Sequence, residues 1–516
     1  MYPLRKSSRN RRFSDFVKIY VDISKARKED VAGWKEKESG MFFGREEELE
    51  TLAALWRKPV ASLVTCRGRR RIGKSTLIAE FAARSRARFI EIEGEAPSPK
   101  TDNSTQLNAF SKQLAEQTSW TGGKIGDWFD AFKFLDQELD DRKTVVLLDE
   151  VSWMGGKDPD FAGQLKTAWD RRFKKHRHLI FVVCGSVSTW IEENILNNTG
   201  FVGRSSLNLD VGELPLRHCV RFWGEKASRI APREIFDILS VTGGVPRYLE
   251  DIDPGLSAAE NIRRLCFLPK APLRDDFSQV FHSVFGGDAE TKKAILEALA
   301  DGPLSVSELA ERLGKERSGN LSRHLGQLAV AGFVSEDAGL NPETGRPLRL
   351  TRFRLRDNYT RFYLKCIRPN AAVIDRGAFS FASLETLPGW ESVMGLQFEN
   401  LVVGNLSDLL PLLGLRGVLL SSAAPYRQKS GRRKTGCQID LLLQAGRTAC
   451  VVEIKRRRQI GREVEDEVAA KIKALRLPRN ISVRAALVYD GELAPSVEAH
   501  GYFDALVPAS RLLEPR

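Results

Sequence analysis

The sequence predicts an α/β protein of several domains, with a parallel-sheet core towards its N-terminal end. Three observations predict it. The apolar run ASLVTC leads through a glycine-containing loop into a periodic helix carrying Leu77, Ile78 and Phe81. A second apolar run, TVVLLDE at residues 144–150, ends in two carboxylates, as a central parallel strand does at its carboxyl end. The chain of 516 residues is also too long for one hydrophobic core.

The loop reads Gly68, Arg69, Arg70, Arg71, Ile72, Gly73, Lys74, Ser75, Thr76. Glycines spaced in this way let backbone N–H groups curl round an anion at a helix N-terminus, so the strand–loop–helix context predicts a phosphate loop. Lys74 is placed to reach the outer phosphates of ATP, and Ser75 and Asp149 to hold Mg2+. Glu150, next along the strand terminus, is placed to accept a proton from the attacking water, because phosphoryl transfer depends on orientation and charge neutralisation. A third apolar strand, LIFVVCGS, ends at Ser186, whose hydroxyl can contact the γ-phosphate or the water.

Composition is that of an ordinary soluble chain, with 42% hydrophobic and 28% charged residues. Apolar runs reach only strand length, so no membrane span is expected and the expected location is cytoplasmic. The basic start, MYPLRKSSRNRRF, leads into no apolar segment and reads as a solvated arm over residues 1–40 rather than a secretory signal. Seven scattered cysteines without a CxxC pair argue against a zinc site or disulfide framework. A net charge of +13 suggests a polyanionic partner, DNA being the expected one, with local clusters at Arg67 to Arg71, Lys429 to Lys434 and Lys455 to Arg458.

FFGREEEL at residues 42–49 and TGGVPRYL at residues 242–249 frame the loop. Together with GRRRIGKST, DEVSWM and CGSVS they resemble AAA+-like STAND and archaeal-type ATPases, in the order those families use. The resemblance covers roughly residues 41–275 and implies a P-loop core over 41–212 with a helical lid over 213–275. It implies that Gly44, Arg45 and Pro246 lie near the adenine, and that Arg204 is a candidate arginine for the γ-phosphate.

Residues 276–370 change character. AETKKAILEALADGPLSVSELAERLGKERSGNLSRHLGQLAVAGFVSE holds three short helical patterns. Ser305 or Ser307 can cap one helix, Ser318 or Asn320 can begin the third, and Gly332 ends it. Leu321, Leu325 and Leu328 form its apolar face, leaving Arg323, His324 and Gln327 to face outward. Phe333-Val334 and Leu350 to Leu355 read as a hairpin. The whole resembles a winged helix-turn-helix, which either sets its third helix, with Arg317 and Arg323, into a DNA groove or acts as a packing adaptor to a protein partner or a second copy.

Residues 385–516 read as helix, three strands, helix and two strands. Alternation along TACVVEIK puts Glu453 and Lys455 on one face. If Gly446-Arg447 forms the hairpin turn, Asp440 falls opposite Glu453. Two facing carboxylates call for a cation, and oxygen ligands suit Mg2+ or Mn2+. Such an ion would activate water against a phosphodiester, with Lys455 beside it. Glu399, in the preceding helix, is the expected third acid. Glu399, Asp440 and Glu453-x-Lys455 resemble the PD-(D/E)xK nuclease core, a restriction-endonuclease-like α/β fold. Two functions are therefore expected to compete: an ATPase that governs a magnesium-dependent nuclease or DNA-binding domain, and an ATP-dependent switch or DNA- or protein-binding module without nuclease activity.

Overall fold

The computed structural model describes residues 42–515, apart from 99, 157, 187, 286–287, 317–318, 343, 349–350, 380–382, 432–434 and 476. The expected basic arm, Arg317, Ser318, Leu350, Arg432, Arg433 and Lys434 lie outside the described residues.

Five strands come first: β1 (Ser62–Arg67), β2 (Arg88–Glu93), β3 (Thr144–Asp149), β4 (Leu179–Gly185) and β5 (Ser205–Asp210). They form one parallel sheet in the order β2-β3-β4-β1-β5. β3 and β4 are buried along their whole length, as continuous apolar runs must be when helices cover both faces. Alternation divides their side chains between two cores. Val64, Val145 and Val182 pack with Leu77 and Phe81 of the loop helix, Lys74–Arg84, whereas Leu63, Val146 and Phe181 pack with Trp128, Phe132 and Phe161. Because the strands are parallel, the ends of β1, β3 and β4 gather on one rim.

A helical segment follows β5, including Pro232–Thr242, Pro246–Leu249 and Ala258–Cys266. Next comes a compact unit of three helices, Ala289–Leu299, Val306–Arg312 and Gly319–Val330. Its antiparallel sheet runs β6 (Leu304–Ser305), β8 (Arg352–Leu355), β7 (Val334–Asp337). Ser305 is the cap here: it and Glu308 form a reciprocal capping box. One expectation fails, since His324 is buried rather than outward-facing. Its ring lies on the same stripe as Leu321, Leu325 and Leu328, which a 3.6-residue period turns into the core.

The last unit opens with the helix Trp390–Gly404. Strands β9 (Ser422–Gln428), β10 (Cys437–Ala445) and β11 (Thr448–Ile460) are antiparallel neighbours. After the helix Glu463–Leu475, β12 (Ser482–Leu493) and β13 (Ala505–Pro508) add in parallel, giving the order β13-β12-β11-β10-β9. Gly446, with φ 57°, makes the turn between β10 and β11. β11 runs on through the basic residues to Ile460, further than its apolar run suggests. Among the described residues, no helix is long and apolar enough to cross a membrane.

Replacing the capping hydroxyl in Ser305→Ala should cost about 1 kcal/mol locally. Amide hydrogen exchange should then quicken across Val306–Arg312 and leave the parallel sheet unchanged.

Candidate functional site

The rim of the parallel sheet holds the first site. β1 ends at Arg67, and the chain turns through Gly68, where a Cβ would collide with the Val211 carbonyl beyond β5. Arg71 and Gly73 take left-handed φ values of 68° and 84°, so the loop curls before its helix begins at Lys74. The Lys74 ammonium donates to the Arg69 carbonyl at 3.1 Å and so lies back over the loop. Ser75 Oγ hydrogen-bonds the Asp149 carboxylate. Ile72 is buried and Thr76 exposed.

Glu150 follows β3 in a left-handed conformation, φ 45° and ψ 44°. Its Oε2 accepts from the Ser186 backbone N–H at 3.1 Å and from the Ser186 hydroxyl at 2.8 Å. The ends of β3 and β4 are thus joined by the two side chains expected to face the attacking water. Gly44 and Arg45 also reach this rim. The buried Arg45 guanidinium donates to the Gly212 carbonyl at 2.6 Å and to the Ile72 carbonyl at 3.2 Å, so it props the loop itself. Pro246 sits over Gly73. Arg204 does not come here: β5 runs parallel to β1 with Ser205 level with Leu63, which leaves Arg204 at the opposite end of the sheet. It donates to both Asp170 oxygens, at 2.8 and 2.9 Å, and so cannot reach the phosphate loop of its own chain.

The loop arginines also differ from expectation. Arg67 pairs with Asp210, Arg69 with the fully buried Asp357 and, at 3.6 Å, with Glu213, and Arg71 with Asp276. Arg70 stacks its guanidinium over Trp153 at 5.6 Å. Arg67, Arg69 and Arg71 are therefore taken up by ion pairs within the chain and Arg70 by an aromatic ring, so the side chains of this cluster do not form an open surface for a polyanion. Asp357, Asp276 and Glu213 were invisible in the sequence as partners, because they lie far along the chain in other units.

The second site lies on β10 and β11. Their paired register ends with Leu441 and Val452, and Asp440 and Glu453 are the next residues beyond it, on the wall of one cavity. Asp440 Oδ2 accepts from the Ile454 N–H at 2.9 Å. Glu453 is completely buried and accepts from Lys455 at 2.7 Å and from Lys471 at 2.7 and 2.5 Å. These groups line a cavity of about 530 Å³ together with Glu399 and Arg456. Burial, and then Glu453, push the Asp440 carboxyl up to about 6; burial, and then Asp440, push Glu399 up to about 7. Burial works against charge on Lys455, but Glu453 and Glu467 outweigh it and raise its pKa.

Glu399 therefore feels the acid pair, yet among the described residues no three His, Cys, Asp or Glu side chains stand together as a metal site. The expected third acid is a neighbour, not a ligand of one cluster. Two carboxylates in one cavity still fit an Mg2+-type ion that keeps waters and takes further oxygens from a phosphate. Lys471 escaped sequence reading because it lies beyond the Glu-x-Lys string; the signal available was its i+4 spacing from Glu467 on one helix face. Two of the three arginines after Lys455 are also engaged. Arg456 is buried and pairs with Asp237 and, at 3.6 Å, with Asp490; Arg457 faces Glu463 and Glu467; Lys429 pairs with Glu308 at 2.8 Å.

Comparison with known proteins bears on the two N-terminal units. Residues 42–252 match the family model described as an ATPase domain predominantly from Archaea. The chain carries an ATP-binding ATPase domain of this archaeal type. Residues 288–337 match a helix-turn-helix domain, the unit that holds His324 in its core. An uncharacterized protein of Methanocaldococcus jannaschii is 22% identical over 370 residues, 72% of this chain and 78% of its own. An uncharacterized ATP-binding protein of the same organism is 49% identical over 41 residues, 8% of this chain and 70% of its own. Among solved structures, the Walker-type ATPase of Pyrococcus abyssi has a TM-score of 0.43 at 16% identity, covering 63% of this chain and 96% of that one. The ORC2 protein of Aeropyrum pernix has 0.39 at 15% identity, covering 67% and 96%.

Lys74→Ala should weaken ATP binding in the ATPase domain, because the ammonium that meets the outer phosphates is gone while the glycine loop stays; equilibrium binding of a fluorescent ATP analogue measures it. Glu150→Gln should keep that affinity and slow phosphate release, read in a steady-state phosphate assay.

Glu399 carries its own pH signature. A carboxyl whose pKa is raised by folding stabilises the fold while protonated, and that contribution is lost as pH rises towards about 7. Glu399→Gln should therefore gain stability relative to wild type between roughly pH 5 and pH 8. Thermal melting of both proteins across that range tests it; parallel curves would remove Glu399 from the acid set.

Proposed function

We propose that the chain is an ATP-hydrolysing protein whose nucleotide site governs a magnesium- or manganese-dependent phosphodiester-cleaving site in its C-terminal unit, acting on DNA. The observation that carries this reading is the cavity at the end of the β10–β11 ladder, which Asp440, Glu453 and Lys455 line together, with Lys455 bonded to Glu453. Residues 41–212, 213–275, 276–370 and 385–516 would then be the ATPase core, its lid, the DNA-docking unit and the nuclease-like unit.

At the first site, Lys74 neutralises the outer phosphates as the loop N–H groups wrap them. Ser75 and Asp149, already hydrogen-bonded to each other, would hold Mg2+, which supplies charge neutralisation at the transferred phosphoryl group. Glu150 takes the proton of the attacking water, with Ser186 fixing the orientation of its carboxylate. At the second site, Asp440 and Glu453 would hold an ion, which would lower the pKa of water and so ease the loss of its proton as it attacks phosphorus. Lys455, held at 2.7 Å from Glu453, is placed to meet negative charge developing on the phosphodiester. Asn320, Ser322 and Arg323 are exposed on the helix Gly319–Val330 and offer DNA a polar face.

The competing reading, a nucleotide-driven switch that cuts nothing, draws support from Glu453, both of whose oxygens are already taken by ammonium groups. Incubation of the purified protein with plasmid DNA in Mg2+ or Mn2+, with and without ATP, separates the two. The nuclease reading expects nicking that Asp440→Asn abolishes while ATP hydrolysis continues, because the acid pair and the phosphate loop lie in different units. Intact plasmid under every condition leaves the switch.

A further inference from the structure

Lys471 lies on the helix Glu463–Leu475, which packs against β10 and β11. Its ammonium spans both oxygens of Glu453, at 2.7 and 2.5 Å. It lines the same cavity as Asp440 and Lys455. Lys455 is divided, since its second contact goes to Glu467 at 2.8 Å. Lys471 is thus committed to Glu453 alone, in the cavity that Asp440 also lines. Without a cation there, two carboxylates in one cavity would repel each other strongly.

We propose that Lys471 is the resident cation of this cavity: its ammonium occupies both Glu453 oxygens beside Asp440 in the ion-free chain, and an entering divalent ion must displace it. The inference rests on reading those two carboxylates as a divalent-ion pair. The geometry of the exchange follows from the donor set. A magnesium-type ion binds oxygen at about 2.0–2.1 Å and needs lone pairs that Lys471 now occupies. Two cations cannot share one carboxylate edge without repulsion, so the ammonium and the ion compete. Lys471 is thus a positioning residue that sets how tightly the cavity takes its ion. A merely structural lysine would differ in sign: its loss would loosen the site and weaken ion binding, whereas loss of a competitor strengthens it.

The test titrates the nucleotide-free, full-length protein with Mn2+, following the free ion by electron paramagnetic resonance. Lys471→Met keeps the apolar stem and removes the charge; Lys471→Gln serves the same purpose should the first variant fold poorly. Either is expected to bind Mn2+ about tenfold or more tightly than wild type, a typical size for one coupled pair of sites. It should also melt earlier without metal and recover when Mn2+ is added. Lys471→Arg, which restores the charge, should return affinity to the wild-type level, and adding Asp440→Asn to Lys471→Met should erase the gain. Equal affinity in wild type and Lys471→Met, lost in both with Asp440→Asn, would overturn the competition while leaving the ion pair standing. Weaker binding in Lys471→Met would overturn it too. Absence of any Asp440-dependent Mn2+ site would remove both this inference and the ion reading beneath it.

Discussion

The pairing of Arg69 with Asp357 is the contact on which the arrangement of the units depends. A buried guanidinium without a carboxylate is costly, and so is a fully buried carboxylate without a cation, so neither partner can leave the other. Asp357 also caps the helix Asn358–Phe362 through the Thr360 N–H at 2.6 Å, and Tyr359 of that helix donates to the Leu273 carbonyl at 2.7 Å. Arg71 adds a second tie at Asp276, which accepts from Tyr248 at 2.6 Å as well. The phosphate loop is thereby attached, through its side chains, to three segments that follow it in sequence by long distances.

The chain of buried polar contacts continues to the C-terminal cavity. Arg361 donates to the Leu355 carbonyl and to Gln397 Oε1, at 2.6 and 2.7 Å, and Gln397 donates back to the Asn358 carbonyl. Burial depresses the Arg361 guanidinium to about 9, a measure of how fully it has left water. Gln397 and Glu399 share the helix Trp390–Gly404, so this knot sets where Glu399 enters the acid cavity. On the other side, Phe236 packs edge-on against Phe398 at 5.3 Å, and Asp237 pairs with Arg456, the residue next to Lys455. The helix Pro232–Thr242 thus touches both the helix that bears Glu399 and the strand that bears Glu453 and Lys455. This arrangement gives the governed-cleavage reading a physical path, since a shift of the helix Pro232–Thr242 bears on β11 directly.

Much of both sites was legible in the chain. The phosphate loop was legible because its glycines and its lysine must be contiguous to wrap an anion, and contiguity is what a sequence displays. The meeting of Asp440 and Glu453 in one cavity was legible for a related reason: a short hairpin turn at Gly446 fixes register, and the strand period of two does the rest. Arg204 was not legible as lying away from its own chain's phosphate loop, because its place depends on which way β5 runs through the sheet, a matter of topology. His324 misled because a polar ring was assumed to face water, whereas its position on the leucine stripe carries it inward.

What the sequence determined by itself is the set of local objects: a strand, loop and helix that can hold phosphate, a three-helix unit with a hairpin, and a hairpin with a carboxylate pair. Each follows from residues within one or two elements, where backbone periodicity and turn geometry leave few alternatives. Only the tertiary structure decided the partners of the charges. Arg69, Arg71 and Arg456 looked like a surface for a polyanion, and each instead neutralises an acid far away in the chain. Lys471 drew no notice in the sequence, and packing brings it onto Glu453. The reason is physical: a charge carries no mark of its partner in the sequence, and the low dielectric of a buried junction lets only those pairs survive that the packing of whole units brings within reach.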